Sequence, residues 1–339
     1  MSIMKHNPPP PFRRFSPQTV FLMSMLVLAC VVFAAMFLVG GREANGRGDE
    51  NVSKLRLQDI PFNGARAYEY LKQLCDLGPR PSGSPGMVAQ QNLLTDHFRK
   101  LGAEVELQQF NYPHPQNGNP VAIGNLIVRW HRRTQDRILL CTHYDTLPFP
   151  LRDRQDPRGV FVGANDGGSG TALLMELGHS MAQFQSRYGV DFVFFDAEEF
   201  MFVENGRFFV GSEHFARRYV QERPPYRYRW AVLLDMVGDA DLQLFQEING
   251  LRWPETRPLV EDIWRTARRL GVREFIPRPK HQVSDDHLML HDIAGIPACN
   301  IIDFDYPAWH TRADTPQQCS ALSLAKVGWV LREWLNAQR

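Results

Sequence analysis

Residues 190–200 read VDFVFFDAEEF. The near-continuous apolar run Val190–Phe195 suits a strand buried on both faces, which requires a sheet covered on each side. In such sheets ligands bind beyond the carboxyl ends of the strands. Asp196, Glu198 and Glu199 therefore stand where chemistry belongs. Two adjacent carboxylates repel when both are ionised in a dry pocket, and a metal cation removes that penalty. One can ligate the cation while the other, turned away, works as a base.

Working outward, the same pattern of a buried strand followed by polar residues recurs. RILLCTHYDT (137–146) places His143 and Asp145 after Ile138–Cys141. WAVLLDMVGD (230–239) places Asp235 and Asp239 after another such run, and DYPAWHT (305–311) sets His310 in a loop beyond the strand Ala298–Ile302. GVFVGANDGGSG (159–170) puts Asp166 ahead of a helix over 168–183. Any one of these acids could cap a turn or a helix start, but His together with carboxylates is a normal zinc ligand set. Further strands are expected at 103–110 and 125–130, and helices at 87–101, 258–270 and 322–336. The alternation predicts an α/β fold with a mixed central β-sheet flanked by helices, in one domain over 59–339. His131, Arg132 and Arg133 read as the tip of a hairpin.

The composition fits that picture. Hydrophobic residues make up 44% of the 339-residue chain, which excludes a mostly disordered protein. Charges nearly balance, 38 Lys+Arg against 37 Asp+Glu, so no polyanion such as nucleic acid is expected as a partner. Five scattered cysteines fit neither a zinc finger nor a disulfide framework, and buried thiols are expected. Before the domain, residues 1–18 form a short basic Pro-rich tail. Residues 19–39, TVFLMSMLVLACVVFAAMFLV, carry no charge and are long enough for a transmembrane anchor, which needs about twenty apolar residues. Residues 40–58 are polar and Gly-rich, and read as a flexible linker. The expected localisation is a single-pass membrane protein with its domain on the extracytoplasmic side.

The ordered motifs HYD, GANDGGSG, FFDAEE, LLDMVG, SDDH (284–287) and WHT resemble the zinc-dependent aminopeptidase family whose fold is shared with glutaminyl-peptide cyclotransferases. Three features resemble the cyclase branch: Trp309 before His310, the pair Asp285-Asp286, and the long segment FMFVENGRFFVGSEHFA (200–216) after the glutamates. That resemblance implies one zinc held by Asp166, Glu199 and His310, with Glu198 as general base then acid. Asp285 would hydrogen-bond the tetrahedral species or its leaving nitrogen, supported by Asp235 through a shared proton, and Trp309 would pack on the substrate. The cyclase loop normally offers a tryptophan, which this chain lacks, and Phe202 is expected in its place. The implied reaction converts the N-terminal glutamine of peptides or proteins to pyroglutamate with release of ammonia. A di-zinc aminopeptidase is the alternative, with a second metal on His143 and Asp235. A membrane-tethered, non-catalytic peptide-binding relative is a third reading, set against by the presence of every ligand type and the base.

Overall fold

The strand at 189–195 is buried at every position, and the computed structural model shows what buries it. It describes residues 51–338 apart from 132–133, 185 and 205. The expected tail at 1–18, the expected anchor at 19–39 and most of the segment expected as linker lie outside the described residues. Among the described residues no helix is long and apolar enough to cross a membrane.

In chain order, α1 (Gly64–Asp76) and α2 (Pro85–Lys100) precede β1 (Glu104–Pro113), β2 (Pro120–Trp130) and β3 (Asp136–His143). Then come α3 (Gly168–Met181), β4 (Gly189–Phe195), a two-stranded ribbon of β5 (Glu199–Phe200) and β6 (Arg207–Phe208), α4 (Val210–Glu222) and β7 (Arg227–Asp235). The chain continues with β8 (Leu244–Gln246), α5 (Ile248–Arg252), α6 (Arg257–Leu270), β9 (Phe275–Pro279), α7 (Asp286–Asp292), β10 (Ala298–Ile302) and α8 (Ala321–Ala337).

The central sheet has the order β1-β2-β4-β3-β7-β10. β1 pairs antiparallel with β2, and β2 antiparallel with β4. β4, β3, β7 and β10 run parallel. Their carboxyl ends share one edge, so four distant stretches of chain meet there. Strand side chains alternate between faces. Val190, Phe192 and Phe194 enter the core under α1, α3 and α8, while Val193 and Phe195 enter the one under α4 and α7. Asp191 interrupts the apolar run and is buried as the bidentate partner of Arg137, Nη2 to Oδ1 2.5 Å and Nε to Oδ2 2.9 Å. The Tyr228 hydroxyl donates a third bond to it, at 2.7 Å.

Two expectations change. The segment around His131 is not a hairpin tip, because β4 lies between β2 and β3. His131 is half-buried and its Nε2 meets the Met181 carbonyl. At the other end of the sequence, Ser53 falls within the segment read as linker, yet it is buried, and both its N–H and its hydroxyl donate to Glu274. Packing therefore begins before residue 59. The four described cysteines are free thiols, three of them buried.

Candidate metal centre and active site

His143 closes β3 and Asp235 closes β7; Glu198 and Glu199 follow β4, and His310 lies in the loop after β10. Asp166 immediately precedes the glycines that open α3. Gly167 has φ +78°, a left-handed turn that a glycine adopts without strain. At Gly170 an added Cβ would lie 2.4 Å from the Thr142 hydroxyl and 2.7 Å from the Leu234 carbonyl, so only glycine lets α3 come this close to β3 and β7.

The six residues converge. His310 Nε2 lies 2.9 Å from Glu199 Oε1 and 3.4 Å from Asp166 Oδ2. His143 Nε2 lies 3.2 Å from Asp166 Oδ1 and 3.1 Å from Asp235 Oδ1. Asp166 thus stands between two imidazoles. Three overlapping sets offer donor atoms within 4.8 Å of one another: Asp166-Glu199-His310, His143-Asp166-Asp235 and His143-Glu198-Glu199.

Two further carboxylates hold this arrangement. Asp145 accepts the backbone N–H groups of Glu198 at 3.1 Å and Glu199 at 3.0 Å, fixing the loop beyond β4. Asp314 does the same for Asn165 at 2.8 Å and Asp166 at 3.1 Å, and takes the Tyr306 hydroxyl at 2.8 Å. Sequence reading gave Asp145 no role and passed over Asp314. The available signal was an Asp two residues past His143 and four past His310, where a carboxylate readily accepts loop amides. Three residues at the site hold left-handed backbone without being glycine: Ala197 (φ 57°), Met236 (φ 47°) and His310 (φ 58°). Such conformations cost about 1–3 kcal/mol each and gather at functional sites.

The electrostatics call for a cation. Burial, reinforced by the charges of Glu199, Asp285 and Asp286, pushes the Glu198 carboxyl well above its ordinary range. Glu199 is pushed up to about 8 by burial and then by Asp166. Burial would lower the His310 pKa, but the bond to Glu199 and the surrounding carboxylates raise it. Among the described residues, buried Asp166 Oδ2, Glu199 Oε2 and His143 Nδ1 make no hydrogen bond. Orphaned donor atoms on a convergent His/carboxylate set are what a divalent metal satisfies, so these residues fit zinc.

Around this centre the expected residues divide. The half-buried Trp309 ring lies 4.4 Å from the His310 ring, at the mouth. Asp285 caps α7, its Oδ1 accepting the Asp286 N–H at 2.7 Å and its Oδ2 the Asn300 amide at 2.7 Å. Its carboxyl is pushed up to about 7 by burial and then by the Asp235 charge. Among the described residues no hydrogen bond joins Asp285 to Asp235, the pair expected to share a proton; Asn300 and the α7 amide donate to the Asp285 oxygens, while Asp235 Oδ1 faces His143. Phe202 packs on His114 and Phe200 in an apolar cluster with Ile123 and Val210, where aromatic burial decides its position. Asp196 accepts from Ser82 and the Gly124 amide, and Asp239 from the Asp241 amide; neither belongs to the three ligand sets.

Comparison with known proteins agrees with this geometry. The model of "Peptidase family M28" matches residues 125–335. The crystal structure of Fimbriiglobus ruber glutaminyl cyclase superposes with a TM-score of 0.79 and 42% identity, covering 83% of this chain and 97% of that one. A leucine aminopeptidase precursor from Bacteroides thetaiotaomicron superposes with a TM-score of 0.76 and 28% identity, over 83% and 99% of the two chains. The glutaminyl-peptide cyclotransferase-like protein of Mus musculus is 26% identical over 89% of this chain and 86% of its own length.

Proposed function

The chain belongs to peptidase family M28, on its glutaminyl cyclase branch, and we propose that it converts the N-terminal glutamine of peptides and proteins to pyroglutamate, releasing ammonia. The observation that carries this reading is the convergence of Asp166, Glu199 and His310, with Glu198 beside them and the Trp309 ring packed at a tilt against the His310 imidazole. These three ligands would hold one zinc, which supplies Lewis acidity at the γ-carboxamide carbon.

The substrate's own α-amine is the nucleophile. The protein mainly has to fold the glutamine side chain into an attacking pose, where proximity replaces a second encounter. Glu198 takes a proton from the attacking amine, then gives one to the departing ammonia. Asp285, buried beside the Asp235 charge, would bind the departing nitrogen. Trp309 covers the reacting carbon and excludes water, which would otherwise yield glutamate by deamidation.

The His143-Asp166-Asp235 set favours a second reading, a two-metal aminopeptidase, in which the second ion would hold the free amine. Incubating the zinc-loaded full-length chain with a Gln-initiated peptide and weighing the product separates the two. Loss of ammonia alone supports cyclisation. Loss of the whole first residue, with two zinc ions per chain, establishes the peptidase and removes the proposal. The tether at 19–39 and the extracytoplasmic placement complete the proposal and rest on the sequence. Recovery of the protein in the salt-washed soluble fraction of cells would remove them.

A further inference from the structure

We infer that Arg152 makes the mouth of the site selective for peptides that carry an acidic residue just after the N-terminal glutamine. This inference rests on the cyclase reading and adds a substrate class to it. Arg152 lies on the exposed loop 148–160, and its backbone N–H donates to the carbonyl of His310 at 3.0 Å. The loop is therefore pinned to a proposed metal ligand. The Arg152 guanidinium lies 4.5 Å from the centre of the Trp309 ring, which also packs on the His310 ring at 4.4 Å and on Phe304 at 4.7 Å. One aromatic side chain separates this cation from the reacting centre.

The charge on Arg152 is uncommitted. The loop's own acids are turned onto another arginine: Asp153 accepts the backbone N–H and Nε of Arg312, each at 3.1 Å, and Asp156 lies 3.6 Å from Arg312 Nη1. No carboxylate among the described residues pairs with Arg152. Stacking on Trp309 orders the guanidinium without neutralising it. Exposed Arg154 and Arg158 share the loop, while Lys280 is spent on Asp305 at 2.5 Å. The interior holds the carboxyl groups of Asp166, Glu198, Glu199, Asp235 and Asp285, whereas the rim presents the arginines Arg152, Arg154 and Arg158. A peptide whose amine enters the carboxylate interior leaves across Trp309. At about 3.3–3.6 Å per extended residue, its second or third side chain comes level with the guanidinium. An acidic side chain there meets a free cation, and a basic one meets a like charge.

The test measures ammonia release from Gln-Glu, Gln-Gln and Gln-Lys peptides of equal length, with the zinc-loaded full-length protein. Exposed ion pairs are weak, so kcat/KM is expected to favour Gln-Glu over Gln-Lys by about two- to fivefold. The difference should sit in KM and shrink as salt screens the rim. In Arg152→Gln the ratio should fall to near one, and in Arg152→Glu the order should invert. Loss of the stacking on Trp309 would lower all three substrates alike and leave the ratio unmoved. Equal kcat/KM for the three peptides, or a preference that survives Arg152→Glu, overturns the inference while leaving the cyclase intact. Absence of ammonia from every peptide overturns the cyclase reading, and this inference with it.

Discussion

Glu198 and Glu199 are neighbours with the same chemistry, and their surroundings separate them. Glu199 faces His310 and Asp166, whereas Glu198 lies 4.0 Å from His143 Nδ1 and is governed by burial and then by the surrounding charges. In Glu198→Gln the shape persists and the proton carrier is gone. Turnover should fall by about 10²–10⁴-fold, the range for a general acid–base, while zinc content by atomic absorption stays at the wild-type level. Loss of zinc in parallel would move Glu198 into the ligand set, and undiminished product would take it out of the mechanism. The proposed ligands were legible because each follows a buried strand, directly or in the loop beyond it, or opens a glycine-rich turn. Asp145 and Asp314 were not, since an acid that binds backbone amides leaves no mark beyond what any loop aspartate leaves. The role of Phe202 was not legible, because an aromatic in a loop reads the same whether it lines a pocket or packs against an apolar cluster.

At the scale of elements, the strands that carry the site were legible from their apolar runs, and β10 matches its expected bounds. The pairing was not. Nothing local in β2 says that it lies beside β4 and not β3. Helix α4 was hidden because it starts after left-handed Phe209 with no side-chain cap, so the usual start signal is missing. α1 does carry a cap, Asn63, and a buried stripe of Ala67, Leu71 and Leu74 that periodicity could have found. The contact that positions Asp166 is the approach of α3 to β3 and β7 at Gly170. Gly170→Ala would drive a methyl into the Thr142 hydroxyl and the Leu234 carbonyl. Overpacking of this kind costs about 1–3 kcal/mol, and here the displaced helix carries a metal ligand. The expected outcome is a lowered Tm together with weakened zinc retention against a chelator. Unchanged zinc retention would show that the Asp166 loop is held by Asp314 alone.

The whole molecule responds to pH through buried acids as well as through its site. Asp303, away from the ligands, is pushed from 3.8 up to about 7 by burial and by the charges of Asp239 and Asp305, despite the amides of Gln243 and Asp305 that it accepts. A carboxyl whose folded pKa is raised stabilises the fold fully below its unfolded value. That contribution is lost as pH rises through the folded value, because the unfolded chain releases the proton first. Asp303→Asn should therefore flatten the decline of unfolding free energy between about pH 5 and 7, as measured by urea titration; an unaltered slope would place the proton elsewhere. The packed chain also has a clasp that ties its beginning to its end. Lys326 Nζ on α8 lies 2.6 Å from Glu274 Oε1, the oxygen that also accepts both bonds from Ser53. Lys326 and Glu274 are buried, at 5% and 3% exposure, so removing the ammonium strands a carboxylate in the interior. Lys326→Met should cost about 3–5 kcal/mol and expose the segment around Ser53 to protease. Adding Glu274→Gln removes the stranded charge while keeping an oxygen for Ser53, and should recover most of the loss. If the double variant is no more stable than Lys326→Met alone, lost packing of the lysine stem, and not an unpaired charge, is what the clasp provides.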